Sequence, residues 1–117
     1  MKTKEVNNFI LYHGTSESAD KIREYGLISG GQHDVIYLTD NPQLALEYAE
    51  SDQDRTGYNN VVLVSVNIKN LDKSKLYGDI DHSNIEDWRE SLRETDQCIY
   101  QGSIPPNVLK IEDYTNE

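Results

Sequence analysis

The stretch Val61-Val62-Leu63-Val64-Ser65-Val66-Asn67-Ile68 decides how this chain folds. Its β-branched residues favour a pleated backbone. Val62, Val64, Val66 and Ile68 alternate onto one face, while Val61 and Leu63 occupy the other, followed by Ser65 and Asn67. A strand that is apolar on both faces at its start belongs inside a sheet, not at its edge. On the N-terminal side, Phe9-Ile10-Leu11-Tyr12-His13 reads as a buried strand broken by Gly14-Thr15-Ser16, and Val35-Ile36-Tyr37-Leu38-Thr39 reads as another. On the C-terminal side, Lys75-Leu76-Tyr77 reads as a short strand, Cys98-Ile99-Tyr100-Gln101 as a further one, and residues 108–114 close the chain after the 102–106 turn.

Helices fill the gaps. Ser16 or Ser18 is positioned to cap a helix running to Tyr25, with Ala19, Ile22 and Tyr25 turned inward and Gly26 as its stop. Asn41 followed by Pro42 is an N-cap with proline at the first helical position, and Leu44, Ala45, Tyr48 and Ala49 follow at helical spacing. Residues 51–60 are polar and read as an exposed loop. Ser83 with Glu86 matches a capping box, opening a helix that carries Ile85, Trp88 and Leu92 on one core-facing stripe to Glu94. Strands outnumber helices and the last two strands are close together. The chain therefore reads as one α+β domain over 1–117, not a doubly wound parallel sheet.

Composition narrows the function classes. Among 117 residues, 21 acids face 11 bases, a net charge of −10. That charge opposes non-specific nucleic-acid binding and anionic membranes, and favours a small ligand or a protein partner with a basic surface. The single cysteine, Cys98, forms no internal disulfide, which fits a reducing, cytoplasmic setting. No apolar run approaches the ~18 residues of a spanning helix, and no secretory signal is visible. One Cys and three scattered His (His13, His33, His82) make no zinc motif. Cys98 falls within a strand, where a buried thiol is ordinarily inert. No glycine-rich phosphate-binding fingerprint is present.

His13 ends an apolar strand and is followed by Gly14, which lets a ligand approach the backbone, and by the Thr15 hydroxyl. Tyr37 and Tyr48 are eleven residues apart on a strand–turn–helix unit that can bring two rings together as a slot for a flat aromatic group. Leu11-Tyr12-His13-Gly14-Thr15, Tyr37-Leu38-Thr39, Tyr48 and Cys98-Ile99-Tyr100-Gln101-Gly102-Ser103-Ile104-Pro105-Pro106 together resemble the ADP-ribosyltransferase superfamily over roughly residues 9–112. The resemblance implies a split β-sandwich of two small antiparallel sheets with short flanking helices, and NAD bound as co-substrate in the cleft. His13 would bond the adenosine ribose, the Gly14 backbone would hold the nicotinamide amide, and Thr15 would support a ribose. Tyr37 and Tyr48 would sandwich the nicotinamide ring. The implied activity is mono-ADP-ribosyl transfer to a macromolecular acceptor, most simply a protein, with a nucleic-acid acceptor left open. The segment Gly30-Gly31-Gln32-His33-Asp34 would contribute to an acceptor or NAD lid.

The family's late glutamate is absent from its place. Counting back from Ile104-Pro105 sets Gln97 in the slot, alignment on Ile99-Tyr100-Gln101-Gly102 sets Asp96 there, and Glu94 lies nearby. The implied catalytic set is therefore His13, Tyr37 and either Gln97 or Asp96. A binding protein for NAD or ADP-ribose on the same fold, with weak or lost transfer, is the alternative. A more distant likeness to RNA 2′-phosphotransferases rests on the same 11–15 motif, Gln32-His33 and the Ile104-Pro105-Pro106 ending. Segments 9–15, 35–48 and 96–106 lack the arginines such an enzyme would need for RNA phosphate.

Overall fold

In a computed structural model, which describes residues 9–29, 35–80 and 83–115, the valine-rich stretch becomes an inner strand. The elements are β1 (Ile10–Thr15), α1 (Ala19–Tyr25), β2 (Ile36–Thr39), α2 (Pro42–Thr56), β3 (Val62–Asn67), β4 (Leu76–Gly78), α3 (Trp88–Thr95), β5 (Gln97–Tyr100) and β6 (Leu109–Asp113). The six strands pair antiparallel in the order β4-β5-β2-β1-β3-β6. β3 lies between β1 and β6, as its two-sided apolar pattern requires.

The expectation of two separate sheets is corrected to one sheet with a weak seam. β1 and β3 register six pairs, whereas β1 and β2 register only Tyr12 with Thr39 among the described residues. Next to that pair a side chain replaces the backbone ladder: His13 Nδ1 lies 2.9 Å from the Tyr37 carbonyl. The seam divides β4-β5-β2 from β1-β3-β6, and the cleft opens along it.

The core lies chiefly on one face of the sheet. Leu11, Val62, Val64, Val66, Ile36, Leu38, Cys98 and Tyr100 join Ile22 and Leu27 of the α1 region, Trp88 and Leu92 of α3, and Ile104. Each fully buried aliphatic side chain contributes about 1.5–3 kcal/mol relative to exposure. α3 packs on β4 and β5, and α1 on β6. On the opposite face α2 crosses β1 and β3 with Ala45 and Ala49 fully buried.

The helices follow sequence chemistry, with corrections at Tyr25, at the end of α2 and at the start of α3. Ser18, not Ser16, caps α1 by accepting from the Lys21 N–H, and Gly26 ends it at φ 77°. Tyr25 is 55% exposed rather than inward, because one helix of seven residues has only Ala19 and Ile22 on its buried stripe. α2 starts at Asn41-Pro42 as expected but runs through the supposed loop to Thr56, with Gly57 at φ 80° closing it. Its polar last turns stay helical because the outer side is solvated and Asp52 and Thr56, one turn apart, both bond Ser16. The Ser83–Glu86 capping box does not form. Asp87 caps α3 through the Glu90 N–H, and segment 83–87 instead packs back on β4, where the Gly78 N–H donates to the Glu86 carbonyl. Trp88 and Leu92 are core residues and Ile85 is half-buried outside the helix. No helix among the described residues is long and apolar enough to cross a membrane.

Candidate functional site

One open cleft of about 1010 Å³ lies on the seam, at the upper end of the roughly 300–1,000 Å³ range of small-molecule sites. β1 lines it with His13, Gly14 and Thr15, β2 with Tyr37 and Thr39, α2 with Tyr48, Asp52 and Arg55, and β5 with Gln97. His13, Gly14, Thr15, Tyr37, Tyr48 and Gln97, all singled out in the sequence, thus meet at one site. His33 and the 30–34 segment, like His82, lie outside the described residues.

His13 is the best-defined polar group. A carbonyl only accepts, so Nδ1 carries the proton and donates to Tyr37, which leaves Nε2 as an acceptor. Burial holds the imidazole below its ordinary pKa, overcoming the opposing pull of the Tyr37 carbonyl and of Asp52 and Glu17. The ring is a neutral hydrogen-bond acceptor suited to a ligand hydroxyl.

Gly14 is needed for packing rather than to admit a ligand to the side where its side chain would lie. A Cβ there would come 1.6 Å from the Ala45 carbonyl oxygen and 2.6 Å from its carbon. The absence of that carbon lets α2 lie against β1 and brings Tyr48 and Arg55 to the cleft. Thr15 is buried and its hydroxyl accepts from the Glu17 N–H at 3.1 Å, so it shapes the turn as well as lining the site.

Strand alternation sets Tyr37, Thr39 and Gln97 on the sheet face that α2 covers, since Tyr37 pairs with Ile99 and Thr39 with Gln97. Tyr48 reaches down from α2, and its hydroxyl donates to Gln97 Oε1 at 2.7 Å. The Tyr48 phenol is pushed above its ordinary pKa, first by burial and then by the charges of Asp79, Asp96 and Glu47, so it stays a donor at neutral pH. Gln97 Nε2 donates to Oδ2 of Asp79.

The register separates the candidates for the glutamate slot. Gln97 begins β5 and lines the cleft. Asp96 does not: it is the left-handed cap of α3 at φ 66°, is exposed, and its backbone carbonyl accepts from Thr39 Oγ1. Glu94 is exposed on α3 and does not line the cleft.

Three groups escaped the sequence reading: Arg55, Asp52 and Asp79. Arg55 lines the cleft because α2 extends past residue 51; Asp52 pins it with an ion pair at 2.6 Å. Burial alone would raise the Asp52 pKa, but hydrogen bonds from Ser16 and Arg55, with the Arg55 charge, hold it below the ordinary range. The signal was the Asn41-Pro42 start with a Gly57 stop, which brackets a single helix. Asp79 follows the short β4 strand, and one acid among 21 carried no local mark.

Cys98 is fully buried in β5 and its thiol is pushed up to about 12, foremost by desolvation, so it is no nucleophile at neutral pH. No group of three His, Cys, Asp or Glu side chains suited to a metal occurs among the described residues.

No family model and no curated protein matches the chain. Among solved structures the chain is similar to one named EcPltA, at 13% identity and a TM-score of 0.58, over 91% of this chain and 82% of that one. At that identity the likeness speaks for the fold: a small α+β domain built on an antiparallel sheet.

Proposed function

We propose that the seam cleft binds NAD and that the protein is a mono-ADP-ribosyltransferase acting on a macromolecular acceptor, most simply a protein. The observation that carries this reading is the convergence of His13, Tyr37, Tyr48 and Gln97, far apart in sequence, on one open cleft. The neutral His13 Nε2 would accept from a ribose hydroxyl, and the Tyr37 and Tyr48 rings would flank the nicotinamide. Gln97 Oε1, which has a second lone pair beyond the Tyr48 bond, would accept from the nicotinamide-ribose 2′-hydroxyl. In the reaction the bond between ribose C1′ and the nicotinamide nitrogen breaks, its electron pair leaving with nicotinamide. An acceptor nucleophile then bonds C1′ and gives up its proton. The net charge of −10 favours an acceptor with a basic surface.

A second reading, a binding protein for NAD or ADP-ribose with little transfer, is favoured by Gln97. An amide accepts a hydroxyl but does not offset the positive charge that grows at C1′, a role worth about 10²–10³ in rate for a single preorganised group. The RNA 2′-phosphotransferase reading gains Arg55 in the cleft, yet that side chain is already paired with Asp52.

Calorimetric titration with NAD tests the common premise. The wild-type protein should bind, and His13→Ala and Tyr48→Ala should each lose tenfold or more in affinity, about 1.4 kcal/mol. Unimpaired binding in both folded variants overturns the assignment. Label from NAD appearing on acceptor protein separates the transferase from the binding protein.

A further inference from the structure

We infer that buried Asp79 selects and orients the glutamine at position 97, so that the negative charge a glutamate would bring to the cleft stands one residue behind it. Asp79 is fully buried and does not line the cleft. The last registered pair of β4 and β5 is Gly78 with Cys98, so a continued antiparallel register sets residue 79 opposite residue 97 on one face. Their side chains meet there, Gln97 Nε2 donating to Asp79 Oδ2.

The backbone around this contact is held from both sides. Ser91, itself fully buried, accepts from the Asp79 N–H at 2.9 Å and donates to the Gln97 carbonyl at 2.6 Å. Ser83 donates its N–H and its hydroxyl to the Asp79 carbonyl, at 3.0 and 2.7 Å. Asp79 therefore has a fixed position from which to act on its neighbour.

The chemistry of the pair is directional. An ionised carboxylate only accepts, so the group facing it must donate. Glutamine meets that demand with Nε2, and the same choice turns Oε1 toward Tyr48 and the cleft. Glutamate at 97 would set a carboxylate at hydrogen-bond distance from the fully buried Asp79 carboxylate, an arrangement of mutual repulsion. Asp79 is thus a positioning residue: it accounts for the glutamine in the slot and fixes which end of the amide a ligand meets. The consequence for NAD rests on the function proposed above; the pairing itself does not.

A four-member cycle tests it: wild type, Gln97→Glu, Asp79→Asn and the double variant, followed by thermal unfolding and NAD titration. Gln97→Glu alone should lower Tm by roughly 10 °C through the repulsion of the two facing carboxylates. Adding Asp79→Asn should restore Tm to within about 3 °C of wild type, because the amide introduced at position 79 donates to the new carboxylate and the bond re-forms in the reverse direction. A residue that merely filled space would not show this rescue. Asp79→Asn alone lets the Gln97 amide take either orientation and should weaken NAD about tenfold, with the double variant regaining it. A Gln97→Glu protein as stable as wild type, or one that Asp79→Asn fails to rescue, overturns the inference. Thermal rescue with no NAD binding by any member, wild type included, upholds the pairing and rejects the NAD reading.

Discussion

Gly14→Ala is the sharpest perturbation available. The added methyl would sit 1.6 Å from the Ala45 carbonyl oxygen, 2.6 Å from the carbonyl carbon and 3.1 Å from the Ala49 nitrogen. All three are backbone atoms of α2, so no rotamer change relieves the clash. To reach even 3.0 Å the helix must withdraw by about 1.4 Å, and ordinary carbon contacts of about 3.5 Å require more. Overpacking a closed interface costs about 1–3 kcal/mol, and a clash confined to backbone belongs at the top of that range. Alanine also reduces the freedom of the unfolded chain, a gain of about 0.4–1 kcal/mol that does not offset the loss. The net expectation is ~2–3 kcal/mol of destabilisation, roughly 10 °C in Tm for a chain of this size. Because α2 carries Tyr48, Asp52 and Arg55 into the cleft, the variant should also lose most NAD affinity under conditions where it remains folded. Urea denaturation gives the stability and calorimetry the binding. A Gly14→Ala protein that melts within 1–2 °C of wild type (small against the ~10 °C expected) would refute the close approach of α2 to β1.

Three further outcomes follow from the groups that the fold holds away from their ordinary pKa. His13 is held below its ordinary 6.5, so the unfolded chain takes up its proton first; this contribution is complete above pH 6.5 and is lost as pH falls below it. Urea midpoints should decline as pH falls below 6.5, and His13→Gln should flatten that decline; an unchanged slope in the variant would assign it elsewhere. Asp52, held below its ordinary 3.8, acts in a second, more acidic window: its contribution is present above 3.8 and is lost as pH falls through the lower folded value. Cys98, fully buried with its thiol near 12, should resist iodoacetamide at pH 8 in the native protein and react fully in denaturant. Rapid native labelling would contradict the β5 placement.

Much of the fold was legible because local chemistry and tertiary need agreed. The Asn41-Pro42 start, the Gly26 stop and the alternating valines of β3 each have a short-range cause that survives in the folded protein. The failures have physical reasons too. The last turns of α2 are polar, so periodicity fades there, and the helix continues because Asp52 and Thr56 find Ser16, 36 and 40 residues away. Ser83 and Glu86 have capping-box spacing, but Gly78 takes the Glu86 carbonyl and α3 begins at Trp88 instead.

Residue types and their spacing alone determined an α+β chain with an inner valine strand, a histidine on an early strand and two tyrosines on a strand–turn–helix unit; that early strand does not stop at His13 as expected but runs on through Gly14 and Thr15, which pair with Leu63 and Val62. Those features rest on interactions within a few residues, which a linear string records. Only the tertiary structure decided that the sheet is continuous with a seam at Tyr12–Thr39, that Gln97 and not Asp96 enters the cleft, and that Arg55 and Asp79 stand at and behind it. Arg55 depends on the length of α2, the others on strand register, and a one-residue shift of register turns a side chain to the opposite face. No local pattern fixes that shift; the pairing of β2 with β5 does.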